Sequence, residues 1–190
     1  MPKLKVVLAG GGTSGHRLPV LTVYRELAKM TSVKGWYFGT ASDVESPEVK
    51  DSGLETVTIT SGKLRRYLSW ENLTDLSKVW RGWQMARERL AEIQPDVVFV
   101  KGGYVSVPVA LAAKKLGIPV VTHESDAVLG LANKIISRAA AAVAVTFPVE
   151  RYGRRWRRKM KLTGPILRPE LKDAAWRSHN LPKQIMIFIM

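Results

Sequence analysis

Residues 4–19 read LKVVLAGGGTSGHRLP. A short apolar run ends in three glycines, then Thr13-Ser14-Gly15-His16, and helical periodicity follows. Leu21, Tyr24, Leu27 and Ala28 recur on one face, which predicts a helix over about Gly15–Met30. Pro19 is expected in its first turn, where a missing N–H costs nothing. Strand, glycine turn and helix in that order open a parallel α/β sheet. The turn also has chemistry. Glycines let backbone amides approach a ligand, and a helix N-terminus adds unsatisfied donors and partial positive charge. The result is an anion cradle, most naturally for a phosphate. The sequence is neither G-x-G-x-x-G nor a Walker ending, so a tight turn needing positive φ is the alternative. His16, at the turn's edge, can take a proton near neutral pH. A capping or packing histidine is its alternative.

Outward from this unit, strands alternate with helices. Strands are predicted at 4–9, 35–39, 55–60, 96–100, 118–122, 140–146 and 159–163, and further helices at 70–94, 105–116 and 127–138. The run PDVVFV at 95–100 is almost unbroken in its apolar character, as in a strand buried on both faces. The fold class is therefore α/β: a Rossmann-like, doubly wound, mostly parallel sheet. In the long helix, Leu76, Val79, Trp83, Ala86, Leu90 and Ile93 are spaced 3, 4, 3, 4, 3 and form the expected core face. Trp70, Leu73 and Trp80 point away from it.

Two more strand ends repeat the logic of the first. KGGYVSVP at 101–108 puts two glycines after a buried strand, and THESDAVLGLANK at 122–134 puts His123, Glu124, Ser125 and Asp126 after another. Ligands of open parallel sheets bind outside the carboxyl ends of the strands, and all three motifs fall there.

Composition narrows the partners. The 190 residues suffice for one sizeable α/β domain and a little more. There is no cysteine, which excludes disulfides and thiolate metal sites. No stretch approaches the 18 apolar residues of a spanning helix, so a cytosolic or surface-bound protein is expected. A net charge of +14 favours anionic partners: phosphorylated substrates, anionic lipid or nucleic acid. Residues 151–161, RYGRRWRRKMK, carry seven basic residues and no acid, and do not choose among those partners.

GGGTSGH, KGGYVSVP, HESDAVLGLAN with the following Phe147-Pro148, and GPILR at 164–168 resemble, in order and spacing, the MurG-type N-acetylglucosaminyltransferases of glycosyltransferase family 28. The resemblance spans about Val6 to Arg168. It implies a GT-B architecture, with this chain as the N-terminal, acceptor-binding half: a domain over 1–168, a linker over 169–184, and over 185–190 the first strand of a truncated donor-binding domain. It further implies that Gly11, Gly12, Thr13, Ser14 and Gly15 face the acceptor's diphosphate, joined by Gly102, Gly103, Tyr104, His123, Glu124 and Ser125. Thr13, His16, Asp126 and Arg168 would meet the donor. Two departures stand out: Ser14 replaces a glycine, and Ser125-Asp126 replaces a Gln-Asn pair.

The reaction implied moves GlcNAc from UDP-GlcNAc to a lipid-linked MurNAc-pentapeptide, lipid I to lipid II, in peptidoglycan synthesis. The donor is α-linked and the product β-linked. The acceptor hydroxyl therefore attacks opposite the leaving UDP and needs a base within about 2.6–3.2 Å. His16 is the first candidate and Asp126 the second. No cofactor or obligatory metal is expected, since backbone amides and a helix dipole stabilise UDP in this family and the chain has no Asp-x-Asp. Alone, the chain is expected to be inactive without a donor-binding domain in cis or in trans. Lys63, Leu64, Arg65, Arg66, Tyr67, Trp70, Leu73 and Trp80 suit an anionic membrane surface, where aromatic rings sit at the headgroups and each basic residue adds about 1 kcal/mol. A peripheral location on the cytoplasmic face of the plasma membrane follows. No nucleic acid partner is expected. The alternatives are a transferase acting on another membrane lipid and a non-catalytic, membrane-recruiting subunit of a split transferase.

Overall fold

All seven apolar runs form strands: β1 (Leu4–Ala9), β2 (Val33–Gly39), β3 (Glu55–Thr58), β4 (Val97–Val100), β5 (Val120–Glu124), β6 (Ala142–Val145) and β7 (Met160–Leu162). The computed structural model describes residues 3–62 and 71–167, and only the backbone of 71–75. Every strand pairs parallel with its neighbours, in the order β3-β2-β1-β4-β5-β6-β7. The helices are α1 (Ser14–Met30), α2 (Ala41–Val44), α3 (Pro47–Lys50), α4 (Glu71–Ile93), α5 (Ser106–Lys115), α6 (Leu131–Ala139) and α7 (Arg154–Arg157). The sheet is the doubly wound one that the sequence implied.

The continuous apolar character of β1 has a simple cause. Side chains alternate along a strand. Val7 and Ala9 enter a core against α4, α5 and α6, whereas Val6 and Leu8 enter a second core with Val20 and Leu21 of α1. Both faces are covered from Val6 to Ala9, and the one polar residue, Lys5, stands at the exposed start of the strand. Within α4, Val79, Ala86 and Leu90 are buried and Trp83 and Ile93 pack against the larger core. Complete burial of Leu90 contributes roughly 1.5–3 kcal/mol.

Three local expectations change. Leu76 has the core spacing yet is 60% exposed, because the contacts of α4 with the larger core begin only at Trp83, two turns later. Helix α6 starts at Leu131 rather than 127, because the Glu124 carboxylate accepts the amides of Asp126 and Gly130 and holds the intervening residues as a loop. Pro19 lies one turn inside α1, since the Thr13 carbonyl accepts both the His16 and Arg17 amides and so starts the helix at Ser14. The short helices α2 and α3 were not anticipated.

No helix among the described residues is long and apolar enough to cross a membrane. Lys63, Leu64, Arg65, Arg66, Tyr67, Trp70, Arg168, and the segments expected as linker (169–184) and following strand (185–190), lie outside the described residues. Leu73 belongs to α4.

Candidate functional site

Neighbours of β1 depart in opposite directions: β2 and β3 on one side, β4 to β7 on the other. At such a reversal the connections diverge and leave a crevice beyond the strand tips. Three turns meet there. The turn after β1 leads to Gly15 and His16, the turn after β4 carries Lys101 to Tyr104, and β5 delivers Glu124, Ser125 and Asp126. Gly15, His16, Lys101, Gly103, Ser125 and Asp126 share the wall of one cavity of about 390 Å³. An adjoining hollow of about 530 Å³ runs along the loop from Asp126 to Leu131.

The first turn is stitched from outside. Asp43, 2% exposed, receives the Gly12 amide at 3.0 Å, the Thr40 hydroxyl at 2.7 Å and the Thr40 amide at 3.1 Å. Arg17 pairs with the same carboxylate at 3.3 Å and with Glu48 at 3.4 Å. A side chain at Gly11 would fall on the Asp43 carboxylate, and one at Gly12 on the Tyr104 ring. The amides of this glycine turn are therefore not uniformly open, as the sequence suggested. Gly12 has spent its donor within the protein. Ser14 and Gly15, exposed at the start of α1, carry no protein acceptor on their amides among the described residues, and Thr13 makes no side-chain cap. The Tyr37 hydroxyl donates to the Gly10 carbonyl, fixing the turn from beneath.

The second turn packs against the first. Gly102 and Gly103 have φ of +81° and +77°, which other residues adopt only with strain. A Cβ on Gly103 would come within 3.1 Å of both the Gly11 carbonyl oxygen and His16 Cδ2. Ser106, fully buried, donates its hydroxyl to the Gly102 carbonyl at 2.6 Å and within reach of that of Ala9 at 3.1 Å, tying β4's exit to β1.

In the third, Glu124 is 4% exposed and accepts at about 3.0 Å from the Asp126 amide, the Gly130 amide and Asn133 Nδ2. Tyr152 donates to the Asp126 carbonyl at 2.8 Å. These contacts make Glu124 the organiser of the loop and present Ser125 and Asp126, both exposed, at the cavity. His123 is 1% exposed, and its Nε2 lies 3.0 Å from the Gly164 carbonyl, on the chain leaving β7.

Electrostatics distinguish the two histidines from ordinary surface ones. Burial holds His16 below the usual imidazole range, and the Lys101 ammonium adds to this. The Lys101 backbone and the charges of Glu124 and Asp126 pull the other way without prevailing. The imidazole is consequently neutral, and able to accept a proton, at neutral pH. Its Nδ1 is buried with no hydrogen-bond partner. His123 is also lowered, by burial first.

Lys101 is the residue that sequence reasoning missed. It is 4% exposed, and its Nζ donates to Ser125 Oγ at 2.7 Å. Burial lowers its pKa, opposed by the charges of Glu124 and Asp126. Its signal was in plain view, as a charge between the apolar VVFV and two glycines, at a strand's carboxyl end. Asp43 was legible too. Thr40-Ala41-Ser42-Asp43 has the spacing of a capping box, and the structure forms both of its hydrogen bonds. Tyr152 sits in the basic run 151–161, to which the sequence assigned no role, and nothing local signals its reach to Asp126. Among the described residues, no group of three or more histidine, aspartate or glutamate side chains could hold a metal ion.

A doubly wound parallel sheet with a half-buried histidine, a buried lysine and helix-start amides around one cleft defines the class: an open α/β domain, whose ligands bind beyond the carboxyl ends of the strands. The chain belongs to the glycosyltransferase family 28 N-terminal domain family, whose model matches residues 6–145. It is 44% identical over 167 residues to the UDP-N-acetylglucosamine–N-acetylmuramyl-(pentapeptide) pyrophosphoryl-undecaprenol N-acetylglucosamine transferase of Lachnospira eligens, covering 88% of this chain and 47% of the relative. The protein of the same name from Shouchella clausii is 42% identical over 156 residues, covering 77% of this chain and 43% of its own. Among solved structures, MurG of Acinetobacter baumannii superposes with a TM-score of 0.66 at 32% identity, over 77% of this chain and 42% of that one. The chain thus spans about half the length of the curated relatives it matches.

Proposed function

We propose that this chain is the acceptor-binding half of an inverting N-acetylglucosaminyltransferase, which moves GlcNAc from UDP-GlcNAc to a lipid-linked MurNAc-pentapeptide. The relatives' names motivate the substrates. The observation that carries the reading is the cavity whose wall His16, in the first turn of α1, shares with Asp126, beyond β5, beside exposed helix-start residues.

The sugar acceptor's hydroxyl attacks the anomeric carbon from the face opposite UDP. A neutral His16 takes the hydroxyl proton as the C–O bond forms, and UDP departs with the bonding pair. Desolvation suits His16 to this role, because a charged imidazole could not accept the proton. Asp126, exposed and in the same cavity wall, is the second candidate base. Most of the donor site belongs to a second domain, in cis or in trans, so the chain on its own binds the acceptor without turnover.

The membrane face is the outer side of α4. Trp80 is 57% exposed there and Leu76 60%. They are spaced four apart along the helix and share a face suited to the headgroup level of an anionic leaflet. The protein acts as a peripheral protein on the cytoplasmic face.

The test is a transfer assay with UDP-GlcNAc and a soluble lipid I analogue, after a donor-binding domain has been supplied. His16→Ala should lower kcat by about 10²- to 10⁴-fold, as loss of a general base does. Full activity of His16→Ala beside a dead Asp126→Asn would hand the role of base to the aspartate.

A further inference from the structure

We propose that Lys101 is the anion-binding residue of this site, its ammonium and the Ser125 hydroxyl together seating one phosphate of a diphosphate. The proposal deepens the acceptor-site reading and rests on it.

An ammonium carries three donors. Lys101 is 4% exposed and directs one of its donors to Ser125 Oγ at 2.7 Å. No carboxylate among the described residues lies within ion-pair distance of it. Glu124 and Asp126 act on it through their charge without pairing with it, and Glu124 has both oxygens engaged by the loop it organises. Removing a cation from water without a counter-ion costs several kcal/mol, and packing alone would be better served by an apolar residue. Lys101 lines a cavity of about 390 Å³ whose wall also includes Gly15, at the start of α1, and the acidic Glu124 and Asp126. An anion entering there meets a full charge, a hydroxyl and helix-start amides at once.

The other cation near these turns cannot serve. Arg17 is committed to Asp43 and Glu48. Nor can the Gly12 amide, which already donates to Asp43. The glycine turn therefore shapes the site while Lys101 supplies its charge. Diphosphate is the chemistry that fits, because it is dianionic or more, compact at each phosphate and matched to a point-charge donor. It has two possible sources here: a lipid-linked acceptor and a nucleoside diphosphate.

The experiment measures binding of farnesyl diphosphate and of UDP to the full chain by isothermal titration calorimetry, for wild type, Lys101→Met and Lys101→Arg, with thermal unfolding of each. Wild type should bind at least one ligand, Lys101→Met should bind it 10-fold or more weakly, and Lys101→Arg should retain most of the affinity. Lys101→Met should melt at the wild-type temperature or higher, since a buried uncompensated charge has gone. A loss confined to farnesyl diphosphate assigns the phosphate to the lipid carrier, and a loss confined to UDP assigns it to the nucleotide. Equal affinity of Lys101→Met for both ligands, or no binding by wild type, overturns the proposal. So does a lower melting temperature of Lys101→Met with no rescue by arginine, which would mark a structural lysine. His16→Ala in the transfer assay tests the underlying reading separately: its inactivity beside an unaltered Lys101→Met would leave that reading standing and sink only this one.

Discussion

Two glycine turns stand side by side at the tips of β1 and β4, and they have opposite fates. The first, Gly10-Gly11-Gly12, is closed by the protein itself. A carboxylate from 31 residues further along takes the Gly12 amide, and an arginine one turn into α1 neutralises that carboxylate. The second, Gly102-Gly103, is flanked by a buried lysine that pairs with no carboxylate among the described residues, although Glu124 and Asp126 act on it from further off. On sequence both read as small-residue turns made for an anion. A glycine-rich turn advertises free amides only until another part of the chain reaches them. Here the unpaired buried charge stands at the poorer turn and not at the richer one.

Breaking the closed turn should give the largest effect on stability. Asp43→Ala strands the Gly12 amide, the Thr40 donors and half of Arg17's pairing around a carboxylate that is itself only 2% exposed. A loss of about 3–5 kcal/mol is expected in urea unfolding, as for a buried pair deprived of one partner. A loss below 1 kcal/mol would mean that water reaches the turn and that its closure is nominal.

The contact between the turns is next. Gly103→Ala imposes positive φ on a side chain and presses it toward the Gly11 carbonyl and His16. The strain should amount to about 1–3 kcal/mol in the same measurement. It should also displace the His16 ring, visible as a changed imidazole shift in NMR spectra.

The charge of the open turn has a pH signature. His16 and His123 both titrate below their ordinary value in the folded state. The unfolded chain therefore protonates first as pH falls, binds more protons than the native one, and gains relative to it. Unfolding free energy should be level above about pH 7 and decline as pH drops through the unfolded value near 6.5 toward the lower folded values. Lys101→Met removes one of the two causes that depress His16, so its NMR titration midpoint should rise while that of His123 moves less. An unmoved His16 midpoint would show that the lysine's charge does not reach the imidazole.

The smallest effect on stability is expected at the outer face of α4. Trp80→Ala should change unfolding free energy by no more than about 0.5 kcal/mol, as an exposed substitution does. It should nevertheless reduce co-sedimentation with vesicles containing anionic phospholipid. Unchanged sedimentation would remove α4 from the membrane interface.

Much of this was legible in advance, and the exceptions share a cause. The strands could be read because a parallel strand covered on both faces must be apolar where it is covered, and VVLA of β1 and VVFV of β4 say so without help. Long α4 could be read because a helix against a core repeats its apolar residues at 3 and 4. The same rule overreached at Leu76, since periodicity continues past the point where the neighbouring core ends. The start of α6 was misplaced because the amides that delay it bond to Glu124, which belongs to the preceding strand. Lys101, Asp43 and Tyr152 went unnoticed as site residues because their partners, Ser125, Gly12 and Asp126, lie 24, 31 and 26 residues away.

The amino-acid order alone thus determined the parallel sheet, the three polar strand tips on one edge of it, and a histidine at the first. These depend on local periodicity and on turn chemistry, which act over a few residues. Which amides stay open, which cation goes uncompensated and which carboxylate is spent on scaffolding were decided only when distant segments met. Hydrogen bonds and charges are satisfied by whatever lies within about 3 Å, and folding alone chooses those neighbours.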